Sequence, residues 1–339
     1  MDAIKTGVIG YGYWGPNLTR NLFELAGSDL VAVADLSDER LNQARTRYPL
    51  LRLTKDYQEF FDLGLNAVVI ATPPETHYLI TRECLEHGLN VLVEKPFTLK
   101  SVHAEELIRL AEEKDLTLMV GHTFEYNSAV HALKKYIDSG FLGKVYYLDA
   151  ARLSLGLFQK ETNVLWDLAP HDISILLYLL GKRPISVSAQ GTTCVFTGVH
   201  DVVYLNLKFP ENITAHLHLS WLDPCKVRRI TAVGSKKMVV YNDIENDAKI
   251  KIYDKGIDLD PDDVTGFGEF HYNYRTGDIT IPNIRFTEPL RQECQHFLDS
   301  IVNHTEPCSS GREGWEVVKI LEAAQYSLMN GQSPEVIQW

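Results

Sequence analysis

Asp167 and His171 lie four residues apart in the segment Trp166–Asp172, a spacing that places both side chains on one face of a helix. The ordinary pKa of histidine, about 6.5, lets a neutral imidazole accept a proton near neutral pH. His171 alone would be interpreted as an ordinary surface or core histidine, and the aspartate one turn away favours a functional interpretation. Because proline is tolerated in the first turn of a helix, Pro170 predicts that this helix starts near Asp167, which would then also act partly as its cap.

Lys95 directly follows a short buried strand, in the segment Val93–Phe97. In doubly wound sheets, ligands bind outside the carboxyl ends of the strands, so a lysine at this point can reach a reacting group. The alternative is a surface lysine before a turn. Position alone does not separate the two interpretations.

The segment Gly10–Gly15 reads G-x-G-x-x-G, and it follows a strand and opens a helix. The first glycine permits a tight turn, the second lets the backbone approach a pyrophosphate, and the third lets helix and strand pack closely. The helix N-terminus then offers N–H groups and a positive dipole end to the phosphates. The alternative is an unrelated glycine-rich turn, but the position between strand and helix favours a dinucleotide site.

Asp35 ends the second strand, 20 residues after Gly15. A carboxylate there accepts hydrogen bonds from the ribose 2′-hydroxyl and repels a 2′-phosphate. Leu36 and Ser37 follow, and the nearest arginine is Arg40. We therefore expect NAD rather than NADP as the cofactor.

The first 120 residues alternate short apolar runs with amphipathic helices, which predicts a parallel, doubly wound sheet. One such helix is expected over Ser101–Lys114, with Ser101 as its N-cap. The runs are rich in valine, isoleucine and leucine and nearly continuous, as expected for strands buried on both faces. They are Thr6–Ile9, Leu30–Ala34, Ala67–Ala71, Val91–Val93 and Leu116–Val120.

After His122 the pattern changes to a helix and then to long alternating strands. The period of two in Ile213–Trp221 and in Val203–Phe209 predicts a sheet with one face on a core and one more polar face, which meets solvent or a second subunit. The stretch Asp254–Thr287 is expected to form loops or irregular strands. The predicted helices of this part are Ser128–Asp138, Glu288–Asn303 and Arg312–Asn330.

Composition limits the class of partner. Hydrophobic residues make up 45% of the 339 residues and the net charge is −12, which is typical of a globular protein and unfavourable for binding nucleic acid or anionic membranes. The chain reaches its first strand within a few residues, its five cysteines are scattered, and no apolar run is long enough to span a bilayer, so a cytoplasmic location is expected. His216 and His218 share a strand face without an evident third ligand, so no metal site is expected.

Taken together, the motifs resemble those of the Gfo/Idh/MocA family of sugar and inositol dehydrogenases, in the same order and over nearly the whole chain. The resemblance implies an N-terminal Rossmann domain over residues 1–122 and, over residues 123–339, an α+β domain with a large open, mostly antiparallel sheet. It also implies a homodimer or homotetramer formed through that sheet, and we expect that helix 312–330 can pack back on the first domain. The residues that carry it are Gly10–Gly15, Asp35, Thr72-Pro73-Pro74, His77, Glu94-Lys95-Pro96, Gly121-His122 and Asp167-x-x-x-His171.

The resemblance also implies the roles of individual residues. The catalytic group would be Lys95, Asp167 and His171, and which of them takes the proton stays open. The residues expected to contact the cofactor are Gly10, Tyr11, Gly12, Tyr13, Trp14, Gly15, Asp35, Thr72, Pro73, Pro74, His77, Glu94, Lys95, His122 and Trp166. The residues expected to contact the substrate are Lys95, Tyr126, Asn127, Arg152, Asn163, Asp167 and His171.

Two segments, Val120–Asn127 and Asn163–Ser174, resemble a subset of the family that acts on nucleotide-linked sugars. The resemblance implies NAD-dependent oxidation of a secondary ring hydroxyl, most specifically at C3 of UDP-N-acetylglucosamine or its uronic acid. Arg152 could meet a phosphate or carboxylate, or be an ordinary strand arginine. The alternatives are a dehydrogenase of inositol or of a free sugar, and a non-catalytic NAD-binding sensor.

Overall fold

A computed structural model describes residues 3–156, 158, 162–259 and 272–339. The chain divides into two compact units, residues 1–126 with 287–322 and residues 127–286 with 323–339. Residues 123–126 and 287–322, which the sequence pattern assigned to the second domain, therefore belong to the first unit. No helix among the described residues is both long and apolar enough to cross a membrane.

The strands are β1 Ile4–Ile9, β2 Ser28–Ala34, β3 Arg52–Thr54, β4 Ala67–Ile70, β5 Asn90–Glu94, β6 Leu118–Gly121, β7 Val145–Leu153, β8 Ser186–Thr192, β9 Val202–Lys208, β10 Thr214–Ser220, β11 Val227–Gly234, β12 Met238–Asn242, β13 Ile250–Leu259, β14 Tyr272–Thr280 and β15 Glu335–Val336. The helices are α1 Gly15–Glu24, α2 Asp38–Arg47, α3 Pro74–Glu86, α4 Ser101–Glu113, α5 Ser128–Asp138, α6 Val164–Leu180, α7 Pro289–Asn303 and α8 Gly311–Met329. Short 3₁₀ helices lie at Tyr57–Asp62, Thr123–Tyr126 and Pro210–Asn212.

The first unit contains a parallel sheet in the order β3-β2-β1-β4-β5-β6. Its central strands are buried on both faces; Val8, Val69 and Leu92 are at most 1% exposed. The order reverses between β1 and β4, and the carboxyl ends of the strands define the edge at which a doubly wound sheet binds its ligand. The predicted Rossmann architecture is confirmed.

Helix α7 belongs to the first unit because it packs on the 3₁₀ helix Thr123–Tyr126 and on α1. Thr123 Oγ1 donates to Glu293 Oε2 of α7 at 2.7 Å. Arg20 of α1 forms an ion pair with Glu288, the residue that precedes α7. These contacts join sequence-distant segments, so local patterning could not reveal them.

The cap predicted for α4 is wrong by one residue. Ser101 is the first helical residue, Lys100 occupies the N-cap, and no side chain caps the helix. The Ser101 N–H instead donates to Glu322 Oε1 of α8 at 3.1 Å. A partner from a distant helix therefore takes the role that a local cap would have.

The second unit contains a sheet in the order β14-β13-β12-β11-β7-β10-β9-β8-β15, in which β7 and β10 pair in parallel and the other described pairs are antiparallel. This confirms the predicted mostly antiparallel sheet. Leu205 and Leu217 are buried on the face that packs on α6. Their sequence neighbours Tyr204 and His218 lie on the opposite face, called here the open face.

The prediction for Asp254–Thr287 is only partly right. The strands β13 and β14 occupy much of it and pair with one register shift, between Tyr253 and Lys255. Arg275 Nε donates to Asp254 Oδ1 at 3.2 Å across the pair, so polar residues stabilise this edge of the sheet. Residues 260–271 of the same stretch lie outside the described residues.

Helix α6 starts earlier than predicted. Asn163 is its N-cap, with its side chain accepting the N–H of Trp166, and Pro170 lies inside the helix. Asp167 is therefore in the first turn but is not the cap. The proline lacks the N–H that would bond to the carbonyl of Trp166, and the helix continues through this gap because its apolar residues, such as Ile173 and Leu176, are fully buried.

Candidate active site

The glycine turn after β1 has no room for side chains at two positions. Gly10 has a φ of +99°, and a Cβ there would collide with the carbonyl oxygen of Ala71. A Cβ on Gly15 would collide with the carbonyl oxygen of Gly10. Helix α1 then begins at Gly15 without a side-chain cap, so its first N–H groups suit an anionic ligand. This cradle fits the pyrophosphate of a dinucleotide.

Asp35 is buried at the end of β2 and is held by two backbone donors. Its Oδ2 accepts the N–H of Tyr11 at 2.7 Å, and its Oδ1 accepts the N–H of Ser37 at 2.8 Å. An ionised carboxylate has about four lone-pair sites, so the group keeps acceptor capacity for a ribose hydroxyl. The carboxylate therefore also fixes the start of the glycine turn.

Arg40 lies closer to this carboxylate than its sequence position suggests. Ser37 caps α2, and the first turn of that helix brings Arg40 Nη1 to 3.5 Å from Asp35 Oδ2. The same guanidinium would lie 3.7 Å from a Cβ on Gly12. The carboxylate that disfavours a 2′-phosphate thus has a half-exposed cation beside it, a feature that was not expected from the sequence.

His77 links the segments that follow β4 and β5. The residue is fully buried on α3, with Nδ1 at 2.8 Å from the carbonyl oxygen of Pro96 and Nε2 at 2.8 Å from that of Thr72. Burial lowers the pKa of His77. Pro73 occupies the N-cap position of α3, without a side-chain cap, and Pro74 is the first residue of the helix. Through these two hydrogen bonds, His77 connects the segment after β4 to the segment after β5, and both segments contain residues predicted to contact the cofactor.

Lys95 follows β5, where Glu94 and His122 are its buried neighbours. Glu94 Oε2 accepts the Lys95 N–H at 3.2 Å, and burial raises the pKa of Glu94 to about 7. Burial and then the Lys95 ammonium lower the pKa of His122 to about 3, so His122 is neutral near pH 7. Neither ring nitrogen of His122 has a hydrogen-bond partner among the described residues. A buried, orphaned imidazole at the ligand-binding edge of the sheet fits a bound cofactor or substrate.

In the second unit, Asp167 and His171 lie one turn apart on α6, and both are half-buried. Asp167 Oδ2 accepts a hydrogen bond from Trp221 Nε1 at 3.0 Å. Trp166, which the sequence predicts at the cofactor, precedes this pair in the same helix and is also half-buried. The predicted Asp–His spacing on one helical face is therefore present.

The other predicted substrate residues make structural contacts. Tyr126 belongs to the first unit, where its hydroxyl lies 3.0 Å from Ser309 Oγ. Asn127 belongs to the second unit, where it caps α5 and donates from Nδ2 to Asp243 at 3.3 Å. Asn163 caps α6, and its Nδ2 donates to Gln325 at 2.9 Å. Their substrate contacts stay predictions.

Arg152 lies on β7 with its guanidinium buried against Asp172 of α6. Nε donates to Oδ2 at 2.8 Å and Nη2 to Oδ1 at 3.0 Å, a bidentate pair. Burial opposes the charge, but the carboxylate outweighs it and the pKa of Arg152 is raised. Two N–H donors of the guanidinium are therefore used in an ion pair within the second unit. This contact favours the interpretation of Arg152 as an anchor of α6.

Two residues of this region, Trp221 and Asp172, were not predicted from the sequence. Trp221 follows β10, where the period of two indicates only that it lies on the apolar face of the strand, and Asp172 adjoins His171. The available signal was a polar group inside each apolar run, since a buried indole N–H or carboxylate needs a partner. No group of three or more potential metal ligands occurs in the part of the chain that the structure describes.

Comparisons with known proteins agree with this geometry. A sequence profile described as "Oxidoreductase family, NAD-binding Rossmann fold" matches residues 4–122, and a profile of the GFO/IDH/MocA C-terminal domain matches residues 130–240. A 2,7-anhydro-N-acetylneuraminate hydratase from Mediterraneibacter gnavus is 26% identical over 234 residues, which are 62% of this chain and 60% of that protein.

A UDP-N-acetylglucosamine 3-dehydrogenase from Acidithiobacillus ferrooxidans is 31% identical over 196 residues, which are 58% of this chain and 60% of that protein. Both alignments thus span about three-fifths of the relative's length. A crystal structure of the A. ferrooxidans enzyme superposes with a TM-score of 0.78 at 25% identity, over 98% of this chain and 100% of that one. Two profiles of one family, matched in order over more than half of the chain, show that the protein belongs to the Gfo/Idh/MocA oxidoreductases, whose first domain is an NAD-binding Rossmann fold.

Proposed function

We propose that this protein is an NAD-dependent dehydrogenase that oxidises a secondary ring hydroxyl of a sugar. The observation that carries the proposal is the Asp167–His171 pair on α6. The first unit of the same chain has the Gly10–Gly15 turn, in which a Cβ at either terminal glycine would collide with the backbone. An acid–base pair suits the transfer of a hydroxyl proton, and a dinucleotide cradle suits the transfer of a hydride.

Residues of the first unit would hold the cofactor. The Gly10–Gly15 turn and the N-terminus of α1 would receive the pyrophosphate, and Asp35 would accept a ribose hydroxyl. NAD, when bound, supplies the acceptor for the hydride that leaves the carbinol carbon. His122 offers two buried ring nitrogens that can bond to a ligand at the same edge.

Three side chains would act on the hydroxyl group. The imidazole of His171 would take the hydroxyl proton, since its ordinary pKa lies near neutral pH. Asp167 would orient that ring and stabilise its cation. The ammonium of Lys95 would stabilise the negative charge that develops on the substrate oxygen. Asp167 is an alternative proton acceptor, and comparing pH profiles of variants at the two positions separates the alternatives.

We further propose a nucleotide-linked hexosamine as the substrate, with the hydroxyl at C3 as the reacting group. The support is the similarity to a UDP-N-acetylglucosamine 3-dehydrogenase, at 31% identity over the aligned residues and with full coverage of its crystal structure. An inositol or a free sugar is the alternative substrate class.

The test is turnover of UDP-hexosamines, inositols and free sugars with NAD and with NADP, followed at 340 nm, with the new carbonyl located by NMR. We expect NADH formation with a UDP-hexosamine and a ketone at C3. Turnover of inositols alone would select the alternative. A product without net NADH would indicate hydratase-type chemistry and contradict the proposed net reaction.

Lys95→Met tests the assignment of the ammonium. We expect turnover to fall by about 10² to 10³, because that is the usual effect of losing one group that stabilises the developing oxyanion. Binding of NADH, measured by fluorescence, should fall much less than turnover, because the glycine turn and Asp35 still hold the cofactor. Lys100→Met, at an exposed position, is the matched control. Full turnover by Lys95→Met would contradict the role assigned to the ammonium, whereas a wild type that binds NAD and turns over no substrate would favour the sensor alternative.

A further inference from the structure

Trp221 is a buried indole whose only ring donor points at Asp167. The residue is 1% exposed and lies one position beyond β10, where its backbone N–H donates to the Asp201 carbonyl at 3.0 Å. Its carbonyl accepts the N–H of Gly156 at 2.9 Å. Both backbone groups are thus fixed, and the side chain extends to Asp167 Oδ2 at 3.0 Å.

Two neighbours hold the plane of the indole ring. A Cβ on Gly156 would lie 2.7 Å from Trp221 Cδ1, closer than side-chain carbons pack, so the ring occupies the space that a larger residue would need. Phe158 meets the indole with ring centroids 5.7 Å apart and an interplanar angle of 65°. The direction of the N–H bond is therefore set by packing and not by Asp167 alone.

An indole nitrogen is a donor only, because it neither accepts a hydrogen bond nor titrates in the physiological range. A fixed donor of this kind stabilises a carboxylate relative to the carboxylic acid. It also selects one rotamer of the carboxylate. A hydroxyl or an imidazole can either donate or accept a hydrogen bond, so it would select that rotamer less specifically.

We propose that Trp221 is a positioning residue that fixes the orientation of the Asp167 carboxylate, one helical turn from His171. The inference rests on the proposed function of Asp167, and it adds a residue from a different strand to the catalytic arrangement. Gly156 contributes to the same arrangement, because a side chain at position 156 would displace the indole ring from Asp167.

The first experiment is the pH dependence of kcat/KM for Trp221→Phe. Removing a fixed donor from a carboxylate disfavours the charged form, so the acid limb of the profile should move to higher pH by about one unit. We expect kcat/KM at the optimum to fall about tenfold, with NADH affinity unchanged. Gly156→Ala should reproduce both effects by displacing the ring.

Trp315→Phe is the matched control, because it removes another indole–carboxylate bond, from Nε1 to Glu105 Oε1 at 2.8 Å, on an exposed part of the first unit. Its pH profile should match that of the wild type. Identical profiles for the wild type and Trp221→Phe would overturn the proposal, as would a uniform loss of activity without any shift of the acid limb.

A second measurement does not depend on turnover. The indole N–H resonance of Trp221, identified in a spectrum of ¹⁵N-tryptophan protein by its loss in Trp221→Phe, should move upfield in Asp167→Ala and in Gly156→Ala. An unchanged resonance would refute the contact. If the wild type turns over none of the sugars while this resonance responds, the proposed function fails and the indole–carboxylate contact stands.

Discussion

At the scale of single residues, the carboxylates proposed for cofactor binding and for proton transfer are both held by N–H donors. Asp35 is bound by the backbone of Tyr11 and Ser37, and Asp167 by the indole of Trp221. Donors of this kind fix the orientation of a carboxylate, which cofactor binding and proton transfer each require.

The role of Asp35 can be tested through cofactor preference. Asp35→Asn removes the charge that repels a 2′-phosphate and weakens acceptance of the ribose hydroxyls. We expect NADH affinity to fall about tenfold and NADPH affinity to fall less, since Arg40 remains beside the site. Fluorescence titration with both reduced cofactors measures the ratio. Asp38→Asn, at an exposed position on α2, should leave the ratio unchanged, and an equal loss for both cofactors in Asp35→Asn would contradict the assignment.

At the scale of elements, α6 carries the Asp167–His171 pair and depends on several anchors. Asn163 caps its first turn, Pro170 interrupts its hydrogen bonding, and the Arg152–Asp172 pair attaches it to β7. Asp172 directly follows His171, so the anchor and the proposed base are adjacent in sequence. The ion pair can therefore restrain the position of the imidazole.

Asp172→Asn tests this anchor. The substitution leaves the Arg152 guanidinium buried without its counter-charge, so we expect a loss of about 3 kcal/mol or more in the free energy of unfolding. Urea denaturation measures the loss. The double variant Arg152→Met with Asp172→Leu removes both charges and should be less destabilised than the single variant. Equal losses would show that the pair contributes through shape and not through charge.

At the scale of the whole molecule, the first unit buries several acidic side chains. Glu94, Glu125 and Glu293 all have raised pKa values, in each case primarily because they are buried. A carboxyl group whose pKa is raised on folding binds its proton more tightly in the folded state. Stability from each group is therefore highest at low pH and is lost as the pH rises from the ordinary glutamate range to the folded-state pKa.

Glu293→Gln should flatten this dependence, because the amide oxygen can still accept the bond from Thr123 while the charge is removed. Relative to the wild type, the variant should gain about 1.4 kcal/mol for each pH unit within the window above pH 4.5 in which Glu293 titrates. Urea denaturation at pH 5 and pH 8 measures the gain, with exposed Glu39→Gln as the control. A gain that is equal at both pH values would contradict the explanation.

The open face of the second sheet supports a proposed homo-oligomer. Tyr147 and Tyr204 are 44% and 40% exposed there, and Tyr204 stacks on His218 with ring centroids 4.4 Å apart. Exposed aromatic side chains on a broad sheet face suit burial in a subunit interface.

Tyr204→Arg should shift the protein to the monomer in analytical ultracentrifugation, because it places a charge on that face. Tyr274→Arg, on a strand at the edge of the sheet, is the control, and its oligomeric state should not change. A wild-type protein that is monomeric at micromolar concentration would refute the proposal.

The sequence by itself determined the features that depend on neighbours along the chain. Nearly continuous apolar runs between amphipathic helices predicted the first sheet, and a period of two predicted the second, since side chains that alternate along a strand share a face. The glycine turn, the acid after β2 and the Asp–His spacing are likewise local motifs. The order of residues along the chain is therefore enough to locate them.

Only the tertiary structure decided which distant groups meet. It placed α7 on the first unit, brought Arg40 to Asp35, paired Arg152 with Asp172 and aimed Trp221 at Asp167. Each contact depends on the distance between a buried polar group and its partner. The packing of whole helices and strands sets that distance, and spacing along the chain does not.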